Sequence, residues 1–144
     1  MKNLIKASAL CMLACIFFCN ARSQTSRLFN AVPDSVIWSE QEIGKLFELT
    51  AGSNVDLAVN ERFHLKGIIK SSVQKYENLK SLIIESSNFK GAMISLARRI
   101  EDDNSIVYVG RILSSKHDDG FELRKNDTGQ YYLRKIEVNN AIVE

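Results

Sequence analysis

His117, Asp118 and Asp119 stand consecutively in "SSKHDDGFEL" and set one imidazole beside two carboxylates. Such a group could offer a nitrogen and oxygens to a metal ion, or a base with an acid to orient it. Consecutive side chains seldom converge on one ion unless further ligands arrive from elsewhere, and no H-x-x-x-H or H-x-H supplies them. Asp-Asp-Gly is equally the chemistry of a hairpin turn, where aspartate binds nearby backbone and glycine takes positive φ. A turn is therefore expected here, with a metal-dependent or hydrolytic site as the rival and no metal assigned.

Arginine recurs in the second half of the chain, at Arg98, Arg99, Arg111, Arg124 and Arg134. Paired hairpin neighbours could bring Arg98 or Arg99 towards Arg111, making a patch for carboxylate, phosphate or sulfated sugar. The competing expectation pairs these arginines with Glu85, Glu101 and Glu122 as outer-face charges, or uses them to guard a strand edge. Tyr108, Tyr131 and Tyr132 could line a pocket mouth, although at strand positions such rings more often pack. "EDDN" (residues 101–104) gathers three carboxylates and an amide without the alternating spacing of a calcium loop, so it reads as a turn. "NDTG" (residues 126–129) reads the same way. It also matches the N-glycosylation acceptor pattern, which has meaning only in a eukaryotic secretory pathway.

The three cysteines, Cys11, Cys15 and Cys19, fall at intervals of four in "CMLACIFFC". On a helix they would share one face, but thiolate metal sites are usually completed by a fourth ligand, and residues 1–23 hold no histidine or carboxylate. "MLAC" matches a lipid-attachment pattern only in part, and "IFFC" does not match it. Residues 1–23 read instead as a secretory signal peptide. Lys2 and Lys6 give the positive start, Ala9 to Cys19 the apolar core, and Ala21 and Ser23 the small residues that place cleavage before Gln24. That apolar core is about half of the roughly 20 residues a spanning helix needs, which disfavours a retained anchor.

Export to a periplasm or to the outside is the expectation, and all three cysteines leave with the leader. The remaining chain then has no disulfide, thiol nucleophile or cysteine metal site. The full chain carries 19 basic and 17 acidic residues; without Lys2, Lys6 and Arg22 it carries 16 and 17, so global charge gives no case for nucleic acid. There is no G-x-S-x-G, P-loop, G-x-G-x-x-G or H-E-x-x-H, and no serine stands in an activating context.

The elements that must position these residues follow from periodicity. Ser39 and Glu42 in "WSEQEIGKLFEL" form a capping box, Trp38 and Ile43 a hydrophobic staple, and Ile43, Leu46 and Phe47 an apolar stripe. A helix over 39–49 is predicted, weakened by Gly44 at about 1 kcal/mol relative to alanine and so in need of a sheet to lean on. From Val55 onward the pattern alternates in "VDLAV", "FHLKGIIKSSV", "LKSLIIES", "AMISLARR", "SIVYVGRILSS", "FELRK" and "QYYLRKI", separated by turn residues.

In the first hairpin, a two-residue Asn60-Glu61 loop would set an apolar row against a polar one. A three-residue loop, Asn60-Glu61-Arg62, instead pairs Val59 with Phe63, Leu57 with Leu65 and Val55 with Gly67. That register sends His64 outward near Ala58 and sets Lys66 opposite Asp56. Ile68-Ile69, Leu82-Ile83-Ile84 and Val107-Tyr108-Val109 are apolar on both faces, which implies two covered faces. Gly67 and Gly110 mark bends.

The expected fold is mainly β (α+β): a short N-terminal helix, then an antiparallel meander of about seven strands in a small barrel or strongly curled sheet, with a two-sheet sandwich as alternative. Residues 24–35 are expected as a flexible lead-in and 36–144 as a single β-rich domain. The expected role is binding of a partner protein, glycan or small ligand, through His117, Asp118, Asp119, Arg98 and Arg111. No catalytic residue, cofactor, nucleic-acid partner or membrane span of the mature chain is assigned. A small enzyme built on residues 117–119, and an accessory protein of envelope or secretion assembly working by strand addition, are the alternatives. The intact mass of the exported protein should correspond to a chain beginning at Gln24. A mass that retains residues 1–23, or carries an acyl adduct on a cysteine, would overturn the leader.

Overall fold

The computed structural model describes residues 27–138; the expected leader (residues 1–23), its expected cleavage point and the last six residues lie outside them. In chain order the elements are β1 (Ser35–Ile37), α1 (Glu40–Leu46), β2 (Asn54–Asn60), β3 (Phe63–Tyr76), β4 (Leu79–Ser86), β5 (Ala92–Ile100), β6 (Ile106–Ser114), β7 (Asp119–Lys125) and β8 (Tyr131–Glu137). All eight strands belong to one antiparallel sheet in the order β1-β8-β7-β6-β5-β4-β3-β2. The two end strands, β1 and β2, lie beside each other without a shared ladder, which makes the sheet a nearly closed barrel rather than a sandwich.

The first hairpin keeps the predicted register along its length: Leu57 faces Leu65, Val55 faces Gly67, Asp56 faces Lys66 and Ala58 faces His64. Only the tip differs. Asn60 faces Phe63, and Val59 is the extra residue of an irregularity between Ala58 and Asn60. The Asn60 Oδ1 explains this arrangement, accepting from the amides of Arg62 at 2.8 Å and Phe63 at 2.7 Å. A two-residue loop and one bulge thus give the same facing as a three-residue loop, because the inward placement of Leu65 and partly buried Leu57 fixes the parity.

The eighth strand is β1, three residues too short for alternation to register in the sequence. Val36 is fully buried against Leu133, while Ile37 on the other face is 57% exposed. The segment before it also departs from expectation. Residues 24–35 read as a flexible lead-in, yet Phe29 and Val32 are buried in the core. Asp119 receives the amide hydrogens of Leu28 (2.7 Å) and Phe29 (2.8 Å), and Lys135 Nζ donates to the Val32 carbonyl at 2.6 Å. These partners lie roughly a hundred positions away, beyond the reach of local pattern.

Two plugs fill the barrel. At one end Phe29 packs on Phe89 and Phe121, with Phe63 stacked on Phe89 at 5.0–5.8 Å centroid separations. At the other lies α1. Ser39 caps it, accepting from the Glu42 amide at 3.2 Å, and the Ser39 hydroxyl in turn donates to the Glu42 carboxylate at 2.7 Å. Ile43, Leu46 and Phe47 are buried, and Lys80 and Ser72 donate to the carbonyls of Phe47 and Leu49 where the helix ends. The staple pair, Trp38 and Ile43, is wholly buried, and Trp38 is the largest side chain of the interior.

A sheet of these dimensions must coil tightly, and glycine permits it. A Cβ at Gly67 would overlap the Glu85 carbonyl oxygen, and one at Gly110 would lie 2.7 Å from the Ser95 carbonyl oxygen. The predicted bends at these positions are close strand-to-strand approaches. Because the obstacle at Gly67 is backbone, Gly67→Ala should cost about 1–3 kcal/mol, the range of overpacked cores. Urea unfolding with an unchanged slope checks this. A wild-type midpoint would show that the strands are not held so closely.

Candidate functional site

The His117 loop is committed to structure. His117 Nδ1 lies 2.9 Å from the buried Ser114 hydroxyl, which also accepts the Lys116 amide at 3.3 Å. Asp119 is 2% exposed and spends both oxygens on the amides of Leu28 and Phe29. It is therefore not available to orient His117, and among the described residues no carboxylate is hydrogen-bonded to the His117 ring. The Asp118 carbonyl accepts from the Val138 amide at 2.7 Å. Gly120, expected as a turn glycine, belongs to β7. Its missing Cβ leaves room for the Ile112 carbonyl oxygen 2.5 Å away, so close packing rather than positive φ explains it. Among the described residues no group of three or more His, Cys, Asp or Glu side chains is placed to hold a metal ion.

Arg98 and Arg111 do not meet. Arg98 faces Tyr108 and Arg111 faces Ser95, so the two guanidinium groups lie three ladder positions apart and on opposite faces of the sheet. Arg98 sits at the barrel mouth beside α1, 5.8 Å over the Phe47 ring. There it borders an open polar hollow of 540 Å³ with Glu40, Lys45, Glu48 and Tyr108. Burial pushes the Tyr108 hydroxyl above its usual 10, partly countered by Arg98, so the group stays protonated and is no base. Its ring packs on Phe47 and Tyr131, and its amide donates to the Tyr131 hydroxyl at 3.0 Å. The turns resolve as turns: Asn126 Oδ1 collects the amides of Thr128 and Gln130 with the Thr128 hydroxyl, and Asp103 accepts from the Ser105 amide. His64 lies outward, bonded to Asp56, which also pairs with Lys66 at 3.3 Å.

The outer face carries the larger feature, an open groove of 770 Å³ across β4, β5, β6 and β7. Its floor is made of small residues. Ser81 faces Ala97, which faces Val109, and Ile83 faces Ser95, which faces Arg111. Ile83, Val107 and Val109 line it with apolar surface, and Val109 is 53% exposed. The sequence implied that strands apolar on both faces have both faces covered; here the inner face is covered and the outer one forms this groove.

One end of the groove is charged. Glu122, with its side chain only 16% exposed, accepts from Arg111 Nη2 at 3.1 Å and from Arg124 Nε and Nη2 at 2.6 Å, and Arg134 stands 3.7 Å away. This is the arginine–Glu122 pairing expected for outer-face charges, and Arg99–Glu101 repeats it. Three guanidiniums share one carboxylate, so positive charge is left over. The groove lining as a whole holds Lys75, Arg111, Arg124 and Lys125 against Glu122, a net charge of +3. The small floor residues gave no sequence signal, because they become neighbours only once three strands are in register.

Burial opposes ionisation of Glu122, but hydrogen bonds from Arg124 and Arg111 outweigh it and hold the carboxyl below its ordinary 4.5. A depressed folded-state value means that the cluster's stabilisation is complete above about pH 4.5 and is lost as pH falls through that lower value. Asp56, held low by His64 and then Lys66, titrates in the same acid range, so the informative quantity is a difference. Between about pH 6 and pH 3 the urea midpoint of the wild type should fall more steeply than that of Glu122→Gln. Parallel curves would show that the carboxylate is not anchored by its arginines.

Compared with known proteins, the chain matches no family model, no curated protein and no solved structure.

Proposed function

We propose that this chain is an exported, non-catalytic binding module whose ligand docks on the outer face of its sheet, not inside the barrel. The supporting observation is a division between the two faces. The inner face is filled by Trp38, Phe29, Phe47, Phe63, Phe121 and Tyr131, each essentially fully buried. The outer face holds a groove of 770 Å³, within the range of about 300–1,000 Å³ of small-ligand sites, with apolar walls and convergent charges. In the loop between β6 and β7, Asp119 is occupied by two backbone amides and is withdrawn from acid–base work. Among the described residues no helix is long and apolar enough to cross a membrane, and export rests on the leader sequence.

A thermal-shift panel of amphiphiles, glycans and peptides tests the reading. A ligand present at about a hundred times its Kd stabilises the native state by roughly 2.7 kcal/mol, a rise of several degrees in a domain of this size. Ser95 is exposed on the groove floor, so Ser95→Trp should fill the groove without altering the melting temperature of the free protein, and should abolish the rise. A rise that survives Ser95→Trp but is lost in Arg98→Gln would move the site to the barrel mouth. Silence across the panel would remove the binding assignment.

A further inference from the structure

The groove restricts the chemistry of what can lie in it. A second copy of the chain is disfavoured by charge: a self-complementary contact would bring two linings of net charge +3 together. An extended peptide is disfavoured by hydrogen bonding. The groove crosses the middle of the sheet, where β4 and β5 are laddered to both neighbours; β6 pairs with β7 only over Gly110–Ile112, and beyond that the Tyr108 amide is taken by the Tyr131 hydroxyl. A peptide lying across β4 and β5 could not add as a strand, and its amides would lie unpaired over Ile83 and Ala97. Hydrocarbon carries no such groups and suits these walls.

The charged end is already organised. Glu122 engages Arg111 through one nitrogen and Arg124 through two, and each guanidinium has five N–H donors, so donors remain on both. The carboxylate, largely buried beneath them, holds the forks in place while cancelling one of three positive charges. Arginine forks fixed by a partly buried acid and set beside apolar walls are suited to a planar anion. On the outer-face reading above, we propose that the groove binds a single-chain amphiphile with an anionic head group. The alkyl chain lies along Ile83, Ala97 and Val109, and the head rests on Arg111 and Arg124.

The test uses decanoate, decyltrimethylammonium and decyl maltoside as free monomers, with calorimetry on the wild type, Arg111→Gln/Arg124→Gln and Ser95→Trp. Melting temperatures confirm that each variant is folded. Decanoate should bind the wild type more tightly than the other two probes, and added salt should weaken it. The double arginine variant should lose about ten-fold in decanoate affinity and leave decyl maltoside unchanged, while Ser95→Trp should lose every probe. Equal binding of anion, cation and neutral probe, all blocked by Ser95→Trp, would overturn the head-group assignment and leave the groove intact. If no probe binds while a glycan or peptide of the panel does, and Ser95→Trp blocks it, the amphiphile is the wrong class and the outer-face reading stands. If nothing binds, or binding ignores Ser95→Trp, both fail. Cosedimentation with anionic phospholipid vesicles without monomer binding would assign the surface to a membrane and overturn the proposal.

Discussion

A sheet that curls on itself leaves two open ends, and the apolar interior of this barrel depends on both being stopped. The Asp119 carboxylate governs one stopper: by taking the amides of Leu28 and Phe29 it sets the Phe29 ring among Phe63, Phe89 and Phe121. A buried carboxylate is costly unless it is paired or richly hydrogen-bonded, and two short bonds from backbone donors meet that condition. The other stopper, α1, is too short to be stable alone and draws its stability from Ile43, Leu46 and Phe47 against the sheet. Both stoppers come from one stretch of chain, with β1 between them tying it to β8.

With the ends closed and the axis filled, the two faces of the sheet separate their tasks. Large inward residues hold the fold, and Gly67 and Gly110 let neighbouring strands come near enough to coil. The outer face carries small residues mid-sheet, apolar walls beside them and a cluster of three arginines on one acid. None of this outer pattern is needed for the core, since an ordinary solvated face would carry mixed charge at such positions. The side chains that fill the interior and those that line the groove therefore alternate along the same strands.

The parts of the fold legible in the sequence were those fixed by parity. A one-residue slip in the first hairpin would turn Leu57 and Leu65 outward, so alternation alone gave their pairing even though the tip has a bulge at Val59. Ser39 and Glu42 marked the start of α1 because capping is local chemistry. Contacts made at a distance were not legible. Phe29 sits in a polar stretch, and only Asp119, ninety positions later, gives it a place in the core. Arg98 and Arg111 looked like partners by spacing. Once Ile100 is set against Ile106, counting back along β5 and β6 puts them on opposite faces. The groove floor required still more, since Ser81, Ala97 and Val109 form one row only after three strands are aligned.

The pairing of β1 with β8 sets the order in which the molecule can be completed. Val36 meets Leu133 near the opposite end of the described chain, so the ladder that ties β1 into the sheet joins residues almost a whole domain apart. Joining such distant segments carries a large loop entropy, and topologies that depend on it fold slowly. A chain emerging amino-terminus first would expose Phe29, Val36 and Trp38 before their partners on β7 and β8 exist. Until the final strand is out, the meander can coil but its N-terminal stopper cannot seat, leaving a nascent form with an open, greasy mouth that a holding chaperone would recognise.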